Sequence, residues 1–223
     1  MKKISNLLKL DFMIIKPYIT FIHLFIFLAV TLYTSYSNAS PISSIILILM
    51  FTMLYASYPF AIVDQNGVDS LYTIFGLNKK DVIKGRYAFL LAINILGATI
   101  GIAISFILSM IFKTEFILKE VLIITISTIL ALSTTQFIQY PILFKNGYLK
   151  SKATPYLPFA IVGLIVISGE LLFKDQTLIF INKVTQFFVF NPILGAFGVL
   201  IIWLVLLFIS YRTSYKYYIR REF

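Results

Sequence analysis

The 223-residue chain contains no cysteine, a single histidine (His23), and only 13% charged residues. The missing cysteines exclude a disulfide-stapled secreted fold. One histidine cannot supply the ligand pair of a metalloprotease. Lying in the first apolar segment, it reads as a helix-packing residue rather than a proton carrier or a protease base. No Gly-x-Ser-x-Gly elbow and no glycine-rich phosphate cradle occur, so the chain is not expected to be an enzyme or to bind a nucleotide by itself. The scarcity of charge also argues against a disordered chain and against a nucleic-acid-binding domain. Internal repeats and low-complexity tracts are absent as well.

What is present is apolar. Hydrophobic residues make up 60% of the sequence and aromatics 17%, and the mean hydropathy is +0.94. A bilayer core about 30 Å thick needs roughly 20 mostly apolar residues per spanning helix. Six segments qualify or nearly qualify: Tyr18 to Tyr36, Ile42 to Val63, Tyr87 to Phe112, Val121 to Phe144, Pro158 to Phe173 and Pro192 to Tyr211. The expected fold is an all-α integral membrane protein with six transmembrane helices. The fifth segment is short, reaching roughly 24 Å at 1.5 Å per residue, and is expected to end inside the outer leaflet. Fifteen of the 19 Lys and Arg residues fall before span one, after spans two and four, and after span six; only Lys113, Lys119, Lys174 and Lys183 lie on the other side. The positive-inside bias therefore places both termini in the cytoplasm and reads the net charge of +10 as topology.

The N-terminus imitates a signal peptide, but the apolar stretch is too long and Asp11 and Lys16 precede it, so it reads as an uncleaved span. Ahead of it, residues 1–16 place Ile4, Leu7, Leu8, Phe12 and Ile15 at helical spacing, which predicts an amphipathic helix lying on the membrane surface. The longest polar stretch, Asp64 to Arg86, is too short to bury a core of its own, so any catalysis is expected to belong to a partner. Ion-coupled carriers hold charged groups at membrane depth. Here Glu170, near the outer end of the fifth span, is the sole acid placed inside a span; with Lys174 one turn later it reads either as a surface-snorkelling i,i+4 pair or as a functional intramembrane charge. The energy for transport would have to come from outside the chain.

The first basic-side loop, 64–86, suggests how. Asp69 can cap a short helix carrying Leu71, Tyr72, Ile74 and Phe75, which Gly76 ends; Asn78 can cap a second helix that runs through Arg86 into the third span, with Asp81 favouring its positive end. The run Leu71-Tyr-Thr-Ile-Phe-Gly-Leu-Asn-Lys-Lys-Asp-Val-Ile-Lys-Gly-Arg-Tyr87 resembles the first cytoplasmic loop of short, six-span ABC-2-type permease subunits. Gly76-Leu77 stands where that family often has Leu-Pro, and Asp64 where Glu is common. After the fourth span, Pro141-Ile-Leu-Phe-Lys-Asn-Gly-Tyr-Leu-Lys-Ser-Lys152 resembles the second loop of the same family.

The resemblance implies a single transmembrane domain over 1–223 without a nucleotide site, driven by two cytosolic ABC ATPase subunits that bind Mg-ATP, and paired with a second permease as homodimer or heterodimer. It implies that Leu71, Tyr72, Ile74 and Phe75 form a coupling helix seated on the ATPase, that Lys145, Asn146, Gly147, Tyr148 and Leu149 in the second loop (145–155) make another contact, and that 174–191 re-enters the outer leaflet. Small permeases of this shape resemble exporters of amphipathic peptides such as phenol-soluble modulins; an amphipathic peptide or a lipid-like cargo also suits spans so poor in fixed charge. Gly97 and Gly101 permit close helix approach, within one subunit or between two. Asn94, Thr134, Thr135, Gln136 and Gln139 either line a translocation surface or bond helix to helix. Tyr140, Tyr148, Tyr156, Tyr211, Tyr215, Tyr217 and Tyr218 read as an interfacial belt. Two other functions stay open on the residues alone: a stand-alone carrier or channel, and a membrane anchor or sensor that moves nothing.

Overall fold

The computed structural model describes residues 2–37, 40–65, 72, 77–151, 153–156, 160, 164, 168, 186 and 190–221. Every regular element among them is helical: α1 (Lys2–Ile15), α2 (Phe21–Ser37), α3 (Ser43–Gln65), α4 (Lys79–Phe112), α5 (Leu118–Asn146) and α6 (Pro192–Arg220), with single 3-10 turns at Lys16–Tyr18, Leu149–Ser151 and Thr154–Tyr156. Four of these helices, α3 to α6, are long and apolar enough to cross a membrane. The 17-residue α2 reaches roughly 26 Å at 1.5 Å per residue. It reaches spanning length only when joined to the segment before it, from which it is bent by 80°. The expected fifth span, 158–173, and the outer segment 174–191 with Lys174 and Lys183, lie largely outside the described residues, as does Glu170.

The 34-residue α4 is the longest element, roughly 51 Å, and so outruns a bilayer core by several turns. Its surplus is at the basic end, where Lys79 to Arg86 precede the apolar run. Asn78 is at the N-cap in extended backbone, as its position in the sequence suggests, but its side chain makes no capping bond; its carbonyl accepts from the amides of Asp81 and Val82 instead. At the far end Lys113 closes the helix in left-handed backbone.

Packing is concentrated at the basic end. Leu7, Phe60, Ile83, Tyr87, Tyr140, Leu143, Phe144 and Tyr218 form one cluster drawn from α1, α3, α4, α5 and α6. Its rings meet edge to face: Phe60 contacts Tyr140 and Phe144 at 5.0 and 4.9 Å, and Tyr218 contacts Phe144 at 5.2 Å, a geometry that adds to the burial itself. Tyr140 and Tyr218 are thus core residues, not members of an interfacial belt: Tyr140 is fully buried and its hydroxyl donates to the Ala56 carbonyl. Tyr211 and Tyr215 pack partly buried against the same cluster. A smaller cluster of Ile45, Leu49, Ala98 and Val121 joins α3, α4 and α5 towards the opposite end.

Pro141 falls inside the fourth span as read from sequence, Val121 to Phe144, and α5 runs through it to Asn146. Proline lacks the amide that would bond the carbonyl four residues back, here Phe137. The Ser210 hydroxyl of α6 donates to that carbonyl at 2.5 Å. Tyr87 lies within hydrogen-bond distance of Ser210 and Ser214. Because the Ser210 proton points at Phe137, the Tyr87 hydroxyl donates to Ser210, and Ser214 donates to Tyr87. The break in α5 is therefore mended from α6 and α4.

Candidate functional site

The two loops singled out from sequence begin beside each other. Asp64, in the last turn of α3, accepts from the Leu149 amide at 2.9 Å and from the Arg221 guanidinium at 2.5 Å. Asp64 opens the first loop, Leu149 belongs to the second and Arg221 caps the end of α6, so one carboxylate ties three segments. Gly147 makes this possible. Its φ is +75°, and a Cβ there would sit 2.7 Å from an Asp64 carboxylate oxygen and 2.8 Å from an Arg221 nitrogen. Only glycine takes that backbone freely and leaves room for the pair. Lys79, the first residue of α4, donates to the carbonyls of Ile219 and Arg221, satisfying the open end of α6 and meeting the negative pole of its dipole.

A second junction lies deeper. Arg86 of α4 pairs with Asp11 of α1 at 2.6 Å, both side chains buried, and also donates to the Tyr72 hydroxyl at 3.1 Å. Its guanidinium covers the Phe60 ring at 5.1 Å. A charge this buried is tolerable only when paired and hydrogen-bonded. Burial pushes the Asp11 carboxyl up to about 6, although the adjacent guanidinium pulls the other way. In the second loop, partial burial also raises the Tyr148 phenol above its ordinary range.

The expected coupling residues divide. Leu71, Ile74 and Phe75 lie outside the described residues. Tyr72 is buried against Arg86 rather than presented outward, and its carbonyl accepts from the Leu77 amide. In the second loop Lys145, Asn146 and Leu149 are exposed, Tyr148 is half-buried and Gly147 is buried. Lys145 lies 5.2 Å above the Tyr217 ring.

The five polar candidates do not form one surface among the described residues. Asn94 of α4 donates to Gln136 of α5 at 2.9 Å and approaches Thr52 of α3, with Asn94 and Gln136 buried. The Gln136 amide nitrogen has no partner among the described residues. Gln139, buried, reaches the Thr154 carbonyl in the second loop. Thr135 bonds back to Leu132 and touches the Met53 sulfur of α3. Thr134 bonds back to Leu130 and lines a shallow depression with Trp203 of α6. Gly97 and Gly101 serve contacts within the chain: a Cβ on Gly97 would lie 2.3 Å from Thr52, and one on Gly101 would lie 3.3 Å from the Ile45 backbone, so both glycines bring α4 against α3. His23 is exposed and, among the described residues, is bonded only to its own chain segment.

Sequence reasoning passed over the partners that matter here. Asp11 entered it as an argument against a signal peptide and Asp64 as a variant of a family glutamate; Arg86, Lys79 and Arg221 were counted for topology. The available signal was scarcity, since an acid among nine in the whole chain, set within a basic segment, has cations on every side. The arrangement offers no catalytic constellation among the described residues. Mechanically, it joins both basic-end loops to the ends of α3, α4 and α6.

The sequence model of a family described as ABC-2 family transporter protein matches residues 6–219. No curated protein and no solved structure matches the chain.

Proposed function

The chain belongs to the ABC-2 transporter family, and from that premise we propose that it is the permease subunit of an ATP-driven exporter of an amphipathic peptide or lipid-like molecule. Two cytosolic ABC ATPase subunits carry Mg-ATP and supply the motive force; a second permease, identical or related, completes the pathway. On this reading both termini are cytoplasmic, six helices cross the bacterial plasma membrane with the fifth in 158–173, and the basic end faces the ATPases.

The observation that carries this reading is the Asp64 junction. Leu149 is bonded to α3, α3 to the end of α6, and the end of α6 to the first residue of α4. A push on either loop is therefore delivered to three helices together. Coupling follows only if nucleotide binding favours one arrangement of these helices over another. Leu71, Ile74 and Phe75 in the first loop and Leu149 in the second are the contacts that would meet the ATPase; Tyr72 works from inside by locking the loop to Arg86.

Copurification from detergent tests the proposal. The unmodified chain should recover an ATP-binding subunit, and Leu71→Asp with Phe75→Asp and Leu149→Asp should lose it while the chain remains folded. Tyr72 is unsuitable for this test because its replacement breaks a buried bond. Recovery of no ATP-binding subunit from native membranes would overturn the reading.

A further inference from the structure

An open groove of about 410 Å³ lies between the α1–α2 bend and the faces of α3 and α4. That volume is within the range of about 300–1,000 Å³ usual for small-ligand sites. Phe27, Ile48, Phe51, Leu96 and Ile100 supply its apolar walls, and the Thr52–Gly97 contact forms part of its lining. Along α3 the lining runs from Ile48 to Tyr55, roughly 10 Å at 1.5 Å per residue, a length suited to part of an acyl chain.

Two side chains give the groove a polar pole. Lys16 and His23, both exposed, line it, and among the described residues no acidic side chain does. The nearest acid along α1, Asp11, is already paired with Arg86. The Nδ1 of His23 is 3.1 Å from the Tyr18 carbonyl; a carbonyl only accepts, so Nδ1 carries a proton, and Nε2 bonds a phosphate oxygen only as the second donor of an imidazolium. Lys16 and His23 flank the α1–α2 bend, where the chain passes from α1 into α2. There a lysine and, in its imidazolium form, a histidine are placed for a headgroup while the apolar walls continue towards α3 and α4.

We propose that this groove holds one acyl chain of an anionic phospholipid, with Lys16 and His23 on its phosphate. The site braces α2, whose other packing within the described residues is confined chiefly to α3. Two basic side chains with no acid among the described lining residues favour an anionic headgroup over a zwitterionic one.

Native mass spectrometry of the purified full chain, titrated with dioleoyl phosphatidylglycerol and with dioleoyl phosphatidylcholine, tests this. Phosphatidylglycerol should be retained about fivefold more strongly, the effect of one basic group near an anionic lipid. The double variant Lys16→Gln/His23→Gln should bring the two lipids to parity, and Leu96→Trp/Ile100→Trp should reduce retention of both. All four positions are exposed, so unchanged melting curves will confirm folding. Equal retention by the unmodified chain, or an undiminished preference in the Lys16→Gln/His23→Gln variant, would overturn the proposal. So would binding confined to the monomer and lost in the dimer, which would assign the groove to a second copy. Neither ATP nor cargo enters the measurement, so its outcome is independent of the export reading.

Discussion

At the scale of single residues, the Arg86–Asp11 pair is the most consequential feature. Removing one partner leaves the other charged and buried, which typically costs about 3–5 kcal/mol. Arg86→Leu should lower stability by about that much in denaturant unfolding of the detergent-solubilised chain. Asp11→Leu/Arg86→Leu should lose less than Arg86→Leu alone, because no orphan charge is left. Titration adds a sign. The folded Asp11 carboxyl titrates at about 6, above its ordinary 3.8, so it holds its proton more tightly in the folded chain than in the unfolded one. The stability this group contributes is present below pH 3.8 and lost as pH rises through about 6. The difference in stability between the unmodified chain and Asp11→Asn should therefore move against the unmodified chain between pH 4 and 7, and a flat difference would contradict the burial assigned to Asp11. Gly147→Ala sets a methyl against Asp64 and Arg221 in left-handed backbone; strain of about 1–3 kcal/mol is expected, together with weaker retention of an ATP-binding subunit in copurification.

At the scale of elements, α5 shows how tertiary contacts supply what local sequence withholds. Ser210→Ala should cost about 1–3 kcal/mol, because the Phe137 carbonyl loses its donor and Tyr87 an acceptor. Pro141→Ala restores an amide four residues beyond Phe137, so the double variant Pro141→Ala/Ser210→Ala should recover part of the loss. Strict additivity in that double-mutant cycle would sink the mended-break account. These elements also show what sequence reveals. The start of α4 beside Asn78 was legible because a turn former precedes a basic, helix-favouring run; the bond that mends α5 at Pro141 was not, because its donor is a serine on another helix. The apolar face of α1 was legible as a stripe, but its target was not: Leu7 and Ile15 pack against protein, with Leu7 on Gly85 of α4. Periodicity reports that a face is apolar without saying whether lipid or protein covers it.

At the scale of the whole molecule, the membrane class and the family were legible from hydropathy and two loop segments, and the family match over residues 6–219 bears that out. Four helices of spanning length stand among the described residues. The junctions were illegible, because Asp64 meets Arg221 across 157 positions and Asp11 meets Arg86 across 75, separations no spacing rule addresses. On the proposed reading, those long-range ties let the basic end take up force from an ATPase as one unit, which is the central claim. The cysteine-free sequence permits a direct measurement. Single substitutions Phe75→Cys and Leu149→Cys, with Ile111→Cys at the opposite end as control, would be crosslinked in native membranes and the adducts probed with a photoreactive ATP analogue. Adducts that bind ATP at positions 75 and 149 and none at 111 are predicted; labelled cysteines that yield no ATP-binding adduct at either loop would contradict the claim.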